Sequence, residues 1–232
     1  MGIPGTVDPK SGKLRYSNNI KWENIEVLRI MGSFLPLPIK IANNADCATL
    51  GEAIAGAGKD SRNIVMLTLG TGVGGGIILD GKIYTGRIMG GSELGHMVIA
   101  GDGELCTCGR RGCLEAYVSA TALAHETAKT YGEVIPPERL FSLAAEGDST
   151  ARRITDHYTE MLGIGIVNIV NIFRPELVLL GGNITAQKDV LLKHLCKIME
   201  QKCFGGKHGD IPEIRAAALG SDAGMIGAAN LL

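Results

Sequence analysis

The chain has 232 residues, a formal charge of −1 and 20% charged residues, so it lacks the basic surplus that nucleic acid or an anionic membrane would require. Its 45% hydrophobic content is that of a globular protein with a sizeable core. Glycine is the outlier at 33 residues, clustered in runs without a period, which excludes a fibre and points to tight ligand-binding turns between regular elements.

In chain order, residues 1–7 and 13–16 are predicted extended around a Pro/Asp/Gly turn. Residues 25–32 are predicted as a short amphipathic helix, and FLPLPIKIANN as an edge segment ending in a polar turn. The small residues of ADCATLGEAIAGA (45–57) read as a helix, and NIVMLTLG (63–70) as a buried strand from its continuous apolar run. GGGIILDGKIYTG follows as a hairpin about Asp80-Gly81. A helix is expected near 114–130 and a long one near 149–173, where Ile154, Tyr158, Met161, Leu162, Val167, Ile169, Val170 and Phe173 supply a broad apolar face. Phe173-Arg174-Pro175 ends it, and ELVLLGG (176–182) is a second buried strand. A helix near 186–203, a strand near 213–218 and a helix from Asp222 complete an α/β alternation with a parallel or mixed sheet. The longest apolar runs are strand-length, and residues 1–15 lack a secretory core, so a cytoplasmic protein without membrane contact is expected. Its six cysteines are then thiols or metal ligands more readily than disulfides.

Three segments carry chemistry. Cys106, Cys108 and Cys113 fall within eight residues, and His96 lies ten residues before the first. Three thiolates and an imidazole form a common closed zinc set, with Gly109 and Gly112 letting the chain fold back on itself; a disulfide would leave one cysteine odd. Glu93 and Glu115 flank the cluster, so a bound metal would fix both carboxylates in space, although both also suit an ordinary surface. Second, LTLGTGVGGGI runs a strand into Gly70, Thr71, Gly72, Gly74, Gly75 and Gly76, and LLGGN places Gly181 and Gly182 after another. Both turns suit phosphate oxygens, and two of them in one chain point to a nucleotide, but neither is a Walker loop and a plain glycine-kinked hairpin explains the first equally well. Third, Asn43, Asn44 and Asp46 sit where an extended run meets a helix, which by residue type alone is an N-cap cluster.

Taken in order, MGIPGTVD, NNIKW, NNADCATLGE, GTGVGGGI, ELGH, CTCGRRGCLE and VLLGGN closely resemble the ROK family of sugar kinases and sugar-responsive repressors, from residue 1 to the AGMIGAA helix. The resemblance implies an actin-like (ribonuclease-H-type) ATPase fold of two lobes, with sugar and ATP in the cleft between them and the first lobe incomplete. It divides the chain into a remnant of the N-terminal lobe at 1–45, on which a helix at 221–232 packs, and a C-terminal lobe at 46–220 with a zinc-binding insertion at 93–115. His96, Cys106, Cys108 and Cys113 would ligate a structural Zn²⁺; Asn43, Glu93, His96 and Glu115 would bind sugar hydroxyls. His96 would use one ring nitrogen for each task. Gly70, Thr71, Gly72, Gly74, Gly75, Gly181 and Gly182 would contact ATP. The activity implied is glucokinase-like transfer of the ATP γ-phosphoryl group to a hexose or N-acetylhexosamine hydroxyl, at C6, with Mg²⁺ neutralising phosphate charge. The alternative is a non-catalytic sugar-sensing module of a repressor. A homodimer is the family expectation.

Two departures from the family pattern stand out. Counting back from Leu50-Gly51-Glu52, the catalytic aspartate position of the family holds Asn44, and Asp46 falls on the family's second asparagine. An amide takes no proton at neutral pH, so turnover is expected to be impaired unless Asp46 substitutes, and positions i and i+2 of a helix point to different sides. The family kinases also begin with a DxGGT-type phosphate loop ahead of GIPG. That loop does not occur in this sequence, and a truncated chain or a second chain that supplies it is the expectation.

Overall fold

A computed structural model describes residues 1–86, 92–182 and 188–231. It falls into two compact units, one of Met1–Met66, Gly74–Glu93 and Ala217–Leu232, the other of Leu67–Val73 and Leu94–Ala216.

In the first unit β1 (Gly2–Ile3) pairs parallel with β5 (Ala42–Asn43), while β2 (Thr6–Asp8), β3 (Lys13–Ser17) and β4 (Trp22–Ile25) form an antiparallel meander. Helix α1 (Val27–Gly32) closes over it, and Ile3, Val7, Leu14, Val27 and Ile41 make a small core. Of FLPLPIKIANN only its last two residues before the helix are strand, because Pro36 and Pro38 remove two ladder donors. Strand β4 is a feature the sequence pattern did not announce: three of its four residues are exposed, so no alternation marks it.

Helix α2 (Asn44–Ala55) packs along α8 (Asp222–Ala229) in the same unit. Both are built from small residues, and the backbones meet: a Cβ on Gly227 would lie 1.7 Å from the Cys47 carbonyl oxygen, and one on Gly51 2.1 Å from that of Ala223. Glu52, fully buried, ties the segment before α8 to α2 by accepting from the Ala218 and Leu219 N–H groups at 2.9 and 2.7 Å.

Strands β6 (Ile64–Leu69), β7 (Val73–Leu79), β8 (Lys82–Ile83), β9 (Leu177–Gly181) and β10 (Glu213–Ala216) make one mixed sheet of order β10-β9-β6-β7-β8. The β7–β8 hairpin turns at Asp80-Gly81, where φ values of 51° and 77° give the doubly left-handed turn that matches strand twist. The expected helix near 114–130 is two, α3 (Glu115–Val118) and α4 (Ala120–Tyr131), because Ser119 is extended and caps α4 with its side chain. A helix with no counterpart in the sequence reading, α5 (Pro137–Glu146), opens on a proline at its first position, where no donor is lost. Long α6 (Ser149–Phe173) is capped by Asp148 and buries Ile154, Tyr158, Leu162, Ile166, Ile169 and Val170, while Met161 and Phe173 are only half-buried. Helix α7 (Lys188–Lys202) and the wholly buried β9 complete the second unit with β10.

Candidate functional site

The cysteine segment folds back on itself as the glycines require. Residues 97–100 run antiparallel to 112–114, with Ile99 N–H on the Gly112 carbonyl at 2.8 Å and Leu114 N–H on that of Met97 at 2.9 Å. Gly112 adopts φ 77°, and a Cβ there would meet the Ala100 carbonyl oxygen at 1.6 Å. A tight turn closes the tip, with Cys106 N–H bonded to the Arg110 carbonyl and Gly109 N–H to the Cys106 carbonyl. The short 3-10 helix Leu94–His96 feeds this run, so the imidazole reaches the thiols.

The four predicted ligands converge. One donor atom from each of His96, Cys106, Cys108 and Cys113 lies within 4.8 Å of every other. Cys108 and Cys113 Sγ are 3.7 Å apart, and Cys106 Sγ is 3.6 Å from His96 Nδ1. A tetrahedral ion with bonds of about 2.3 Å to sulfur and 2.0–2.1 Å to nitrogen sets S···S near 3.7 Å and S···N near 3.5 Å, so the cluster could hold a zinc ion. Its charges agree. Burial raises Cys106 and Cys113, whereas at Cys108 donors from Arg110 and the other two thiols outweigh burial and bring the group down to about 6. A divalent cation bound there would stabilise all three thiolates. The Arg110 guanidinium donates to the His96 carbonyl at 2.9 Å and lies beside Cys108, screening an S₃N centre whose net charge with zinc would be negative. Since Nδ1 faces the sulfurs, Nε2 of His96 is the nitrogen left for a second partner.

Glu115, 8% exposed, opens α3 immediately beyond the cluster. Its Oε2 accepts from Val73 N–H at 2.9 Å, and its Oε1 from the Thr107 hydroxyl at 2.6 Å and the Cys106 thiol at 3.6 Å. A carboxylate offers about four lone-pair sites, of which these three donors take three. Gly72 is the residue that admits it, because a Cβ there would stand 2.5 Å from Oε2.

The glycine turns come together in the second unit. Gly70 N–H closes on the Gly72 carbonyl at 3.0 Å, and the turn docks on α4 through Ala120 N–H to the Gly70 carbonyl and the Thr121 hydroxyl to that of Thr71. Gly182, at φ 104°, abuts Leu69 at the end of β6, so the turns after β6 and β9 are neighbours. Gly74 and Gly75 lie inside β7, and Gly181 ends β9, rather than in open loops.

At the start of α2 the N-cap reading of Asn43 is what the structure shows: its Oδ1 accepts from Ala45 and Asp46 N–H at 2.7 and 3.3 Å, and its Nδ2 donates to the Gly5 carbonyl. Asn44 is exposed, whereas Asp46 is 4% exposed with its Oδ1 unpartnered among the described residues. Burial, and secondarily the nearby Glu93 carboxylate, pushes the Asp46 carboxyl up to about 7. Glu93 itself is exposed. Sequence reasoning passed over Thr107, Val73 and Glu52. Only Glu52, an acid amid the small residues that follow Asp46 in the same helix, left a signal in the sequence.

A family model described as ROK family matches residues 1–232. The chain is 35% identical over 250 residues to the glucokinase of Thermotoga maritima, covering 100% of this chain and 78% of that protein. It is 31% identical over 217 residues to the xylose repressor of Caldicellulosiruptor bescii, covering 88% of this chain and 54% of the repressor. Among solved structures, a ROK family glucokinase from Streptomyces griseus in complex with glucose and AMPPNP matches with a TM-score of 0.87 at 30% identity, covering 99% of this chain and 79% of that one. ROK glucokinases have the actin-like ATPase fold, which is therefore the fold here. Among the described residues no helix is long and apolar enough to cross a membrane. With a family model that spans every residue and a glucokinase relative matched over more than two-thirds of its own length, the chain belongs to the ROK family.

Proposed function

We propose that the chain is an ATP-dependent sugar kinase of the glucokinase type, which binds a hexose and transfers the ATP γ-phosphoryl group to its C6 hydroxyl, at a rate limited by Asn44. The observation that carries the sugar half of this reading is the convergence of His96, Cys106, Cys108 and Cys113 beside Glu115. Zinc in that cluster would be structural, closing the four-ligand set and holding the two strands of the knuckle together. Nε2 of His96 and the free lone pairs of Glu115 would then meet sugar hydroxyls, with Asn43 and Glu93 as further partners. The turns at Gly70–Gly72 and Gly181–Gly182 would offer backbone N–H groups to the phosphates of ATP.

Asn44 is exposed at the first position of α2, where the resemblance implies a base, and its amide cannot take the hydroxyl proton. Asp46 is buried and Asn44 exposed, so the two side chains leave the helix on different sides, and we assign the base position to residue 44. The test is hexose-dependent ATP consumption by the parent, by Asn44→Asp and by Asp46→Asn. A restored general base is expected to raise turnover by about 10²–10⁴ in Asn44→Asp. An Asn44→Asp variant no faster than its parent contradicts the assignment, and loss of the parent's turnover in Asp46→Asn would move the base to Asp46. A second reading, a sugar-sensing module without turnover, is favoured by the same Asn44 and by the likeness to a xylose repressor. It predicts hexose binding with no ATP consumption in any of the three proteins.

A further inference from the structure

The Thr107 side chain has no role in the reading above, yet it sits between two members of the metal cluster and touches a third element. We propose that Thr107 is a positioning residue that acts through Glu115 and couples the zinc knuckle to the glycine turn at 70–73.

The geometry has three links. Thr107 follows Cys106 and precedes Cys108, so a metal held by both thiols fixes its backbone on either side. Its hydroxyl donates to Glu115 Oε1 at 2.6 Å, a charge-assisted bond to a side chain that is 8% exposed. With Oε1 held there, Oε2 is turned onto Val73 N–H at 2.9 Å, directly after the turn whose Gly72 leaves the space for it. The Cys106 thiol also donates to Oε1, at 3.6 Å, but a sulfur bound to metal has lost that proton, so the Thr107 hydroxyl is then the donor that remains. A two-oxygen carboxylate held at both ends transmits position: if one end is released, the side chain can rotate about χ3, and the Val73 N–H loses its acceptor. Position at the knuckle is thereby passed to the start of β7, and a hexose hydroxyl on Glu115 would meet a carboxylate already oriented. The oriented contact with a hexose rests on the sugar-binding reading of Glu115; the link from Thr107 to Val73 does not.

The experiment compares Thr107→Val, Thr107→Ser and Glu115→Gln with the parent, all as zinc-loaded full chains with the metal counted by elemental analysis. Two readouts are taken: amide hydrogen exchange at Val73 without ligand, and glucose binding by calorimetry. In Thr107→Val, with zinc retained, exchange at Val73 is expected to quicken about tenfold, the equivalent of one lost hydrogen bond. Thr107→Ser returns it to the parent's value. Adding Thr107→Val to Glu115→Gln gives no further change, because the two act in series. Unchanged exchange at Val73 in Thr107→Val, an equal acceleration in the Glu115→Gln background, or loss of zinc from Thr107→Val would each overturn the proposal, the last by showing that the hydroxyl serves the knuckle alone. If the Val73 pattern is as expected but the parent binds no glucose, the coupling stands and the sugar reading of the site fails.

Discussion

Asn44 and Asp46 stand two positions apart at the start of α2, one exposed and one buried, and that contrast has a thermodynamic signature. Asp46 keeps its proton to about 7 in the folded chain against 3.8 for the ordinary group, chiefly because burial disfavours its charge. The native state therefore binds more protons than the unfolded state between about pH 4 and pH 7, so this group lowers stability progressively as pH rises through that window. Asp46→Asn is accordingly expected to raise stability at pH 8, by up to about 4 kcal/mol, with the gain vanishing toward pH 4. Urea midpoints of parent and variant at the two pH values check it; a variant less stable than its parent at pH 8 would mean that the carboxylate has a favourable partner. The residue scale is also where the sequence was most and least readable. His96, Cys106, Cys108 and Cys113 were legible because three thiols and an imidazole at close spacing are a recognisable zinc-type donor set, and the chain brings all four together. Thr107 and Val73 were not, since one acts through a hydroxyl on an exposed turn and the other through a backbone N–H that any non-proline residue carries.

At the scale of elements, the pairing of α2 with α8 depends on small residues that let two backbones touch. Gly227→Ala would drive a Cβ to 1.7 Å from the Cys47 carbonyl oxygen, which belongs to a helix and cannot yield as a flexible side chain would. A loss of about 2–3 kcal/mol is expected, read as a lower urea midpoint with an unchanged slope. A shift of under about 0.5 kcal/mol would show that the helices can separate at little cost. Elements with a strong period or a continuous apolar run, such as α6, β6 and β9, were evident from the sequence because burial selects their residues. The division of the 114–130 helix at Ser119 was not, as a serine that caps a new helix looks like one tolerated within an old one. The glycines at 74–76 belong to β7, as the hairpin reading of GGGIILDGKIYTG expects, and small size there admits neighbours such as Thr49, whose Oγ1 lies 2.1 Å from a Cβ built on Gly76.

For the whole molecule, family membership rests on a family model that spans residues 1–232, and relatives of both kinds, a glucokinase and a xylose repressor, match the chain. Both readings would use the same knuckle, because each needs a sugar-binding surface whether or not phosphoryl transfer follows. A zinc ion in the knuckle would add order to a glycine-rich segment held by backbone pairs such as Ile99 N–H to the Gly112 carbonyl and Leu114 N–H to that of Met97. A complete zinc set contributes folding energy on the order of 10 kcal/mol, so removal of a metal bound there would be felt at Glu115 and His96 before it is felt in the buried sheet. The most direct test is calorimetric titration of hexoses into the zinc-loaded chain, into the chain stripped by a chelator, and into the stripped chain after zinc is restored. Saturable hexose binding by the loaded chain is expected, weakened at least about tenfold on stripping and recovered with the metal. A loaded chain that binds no hexose, or a stripped chain that binds one equally well, would contradict it.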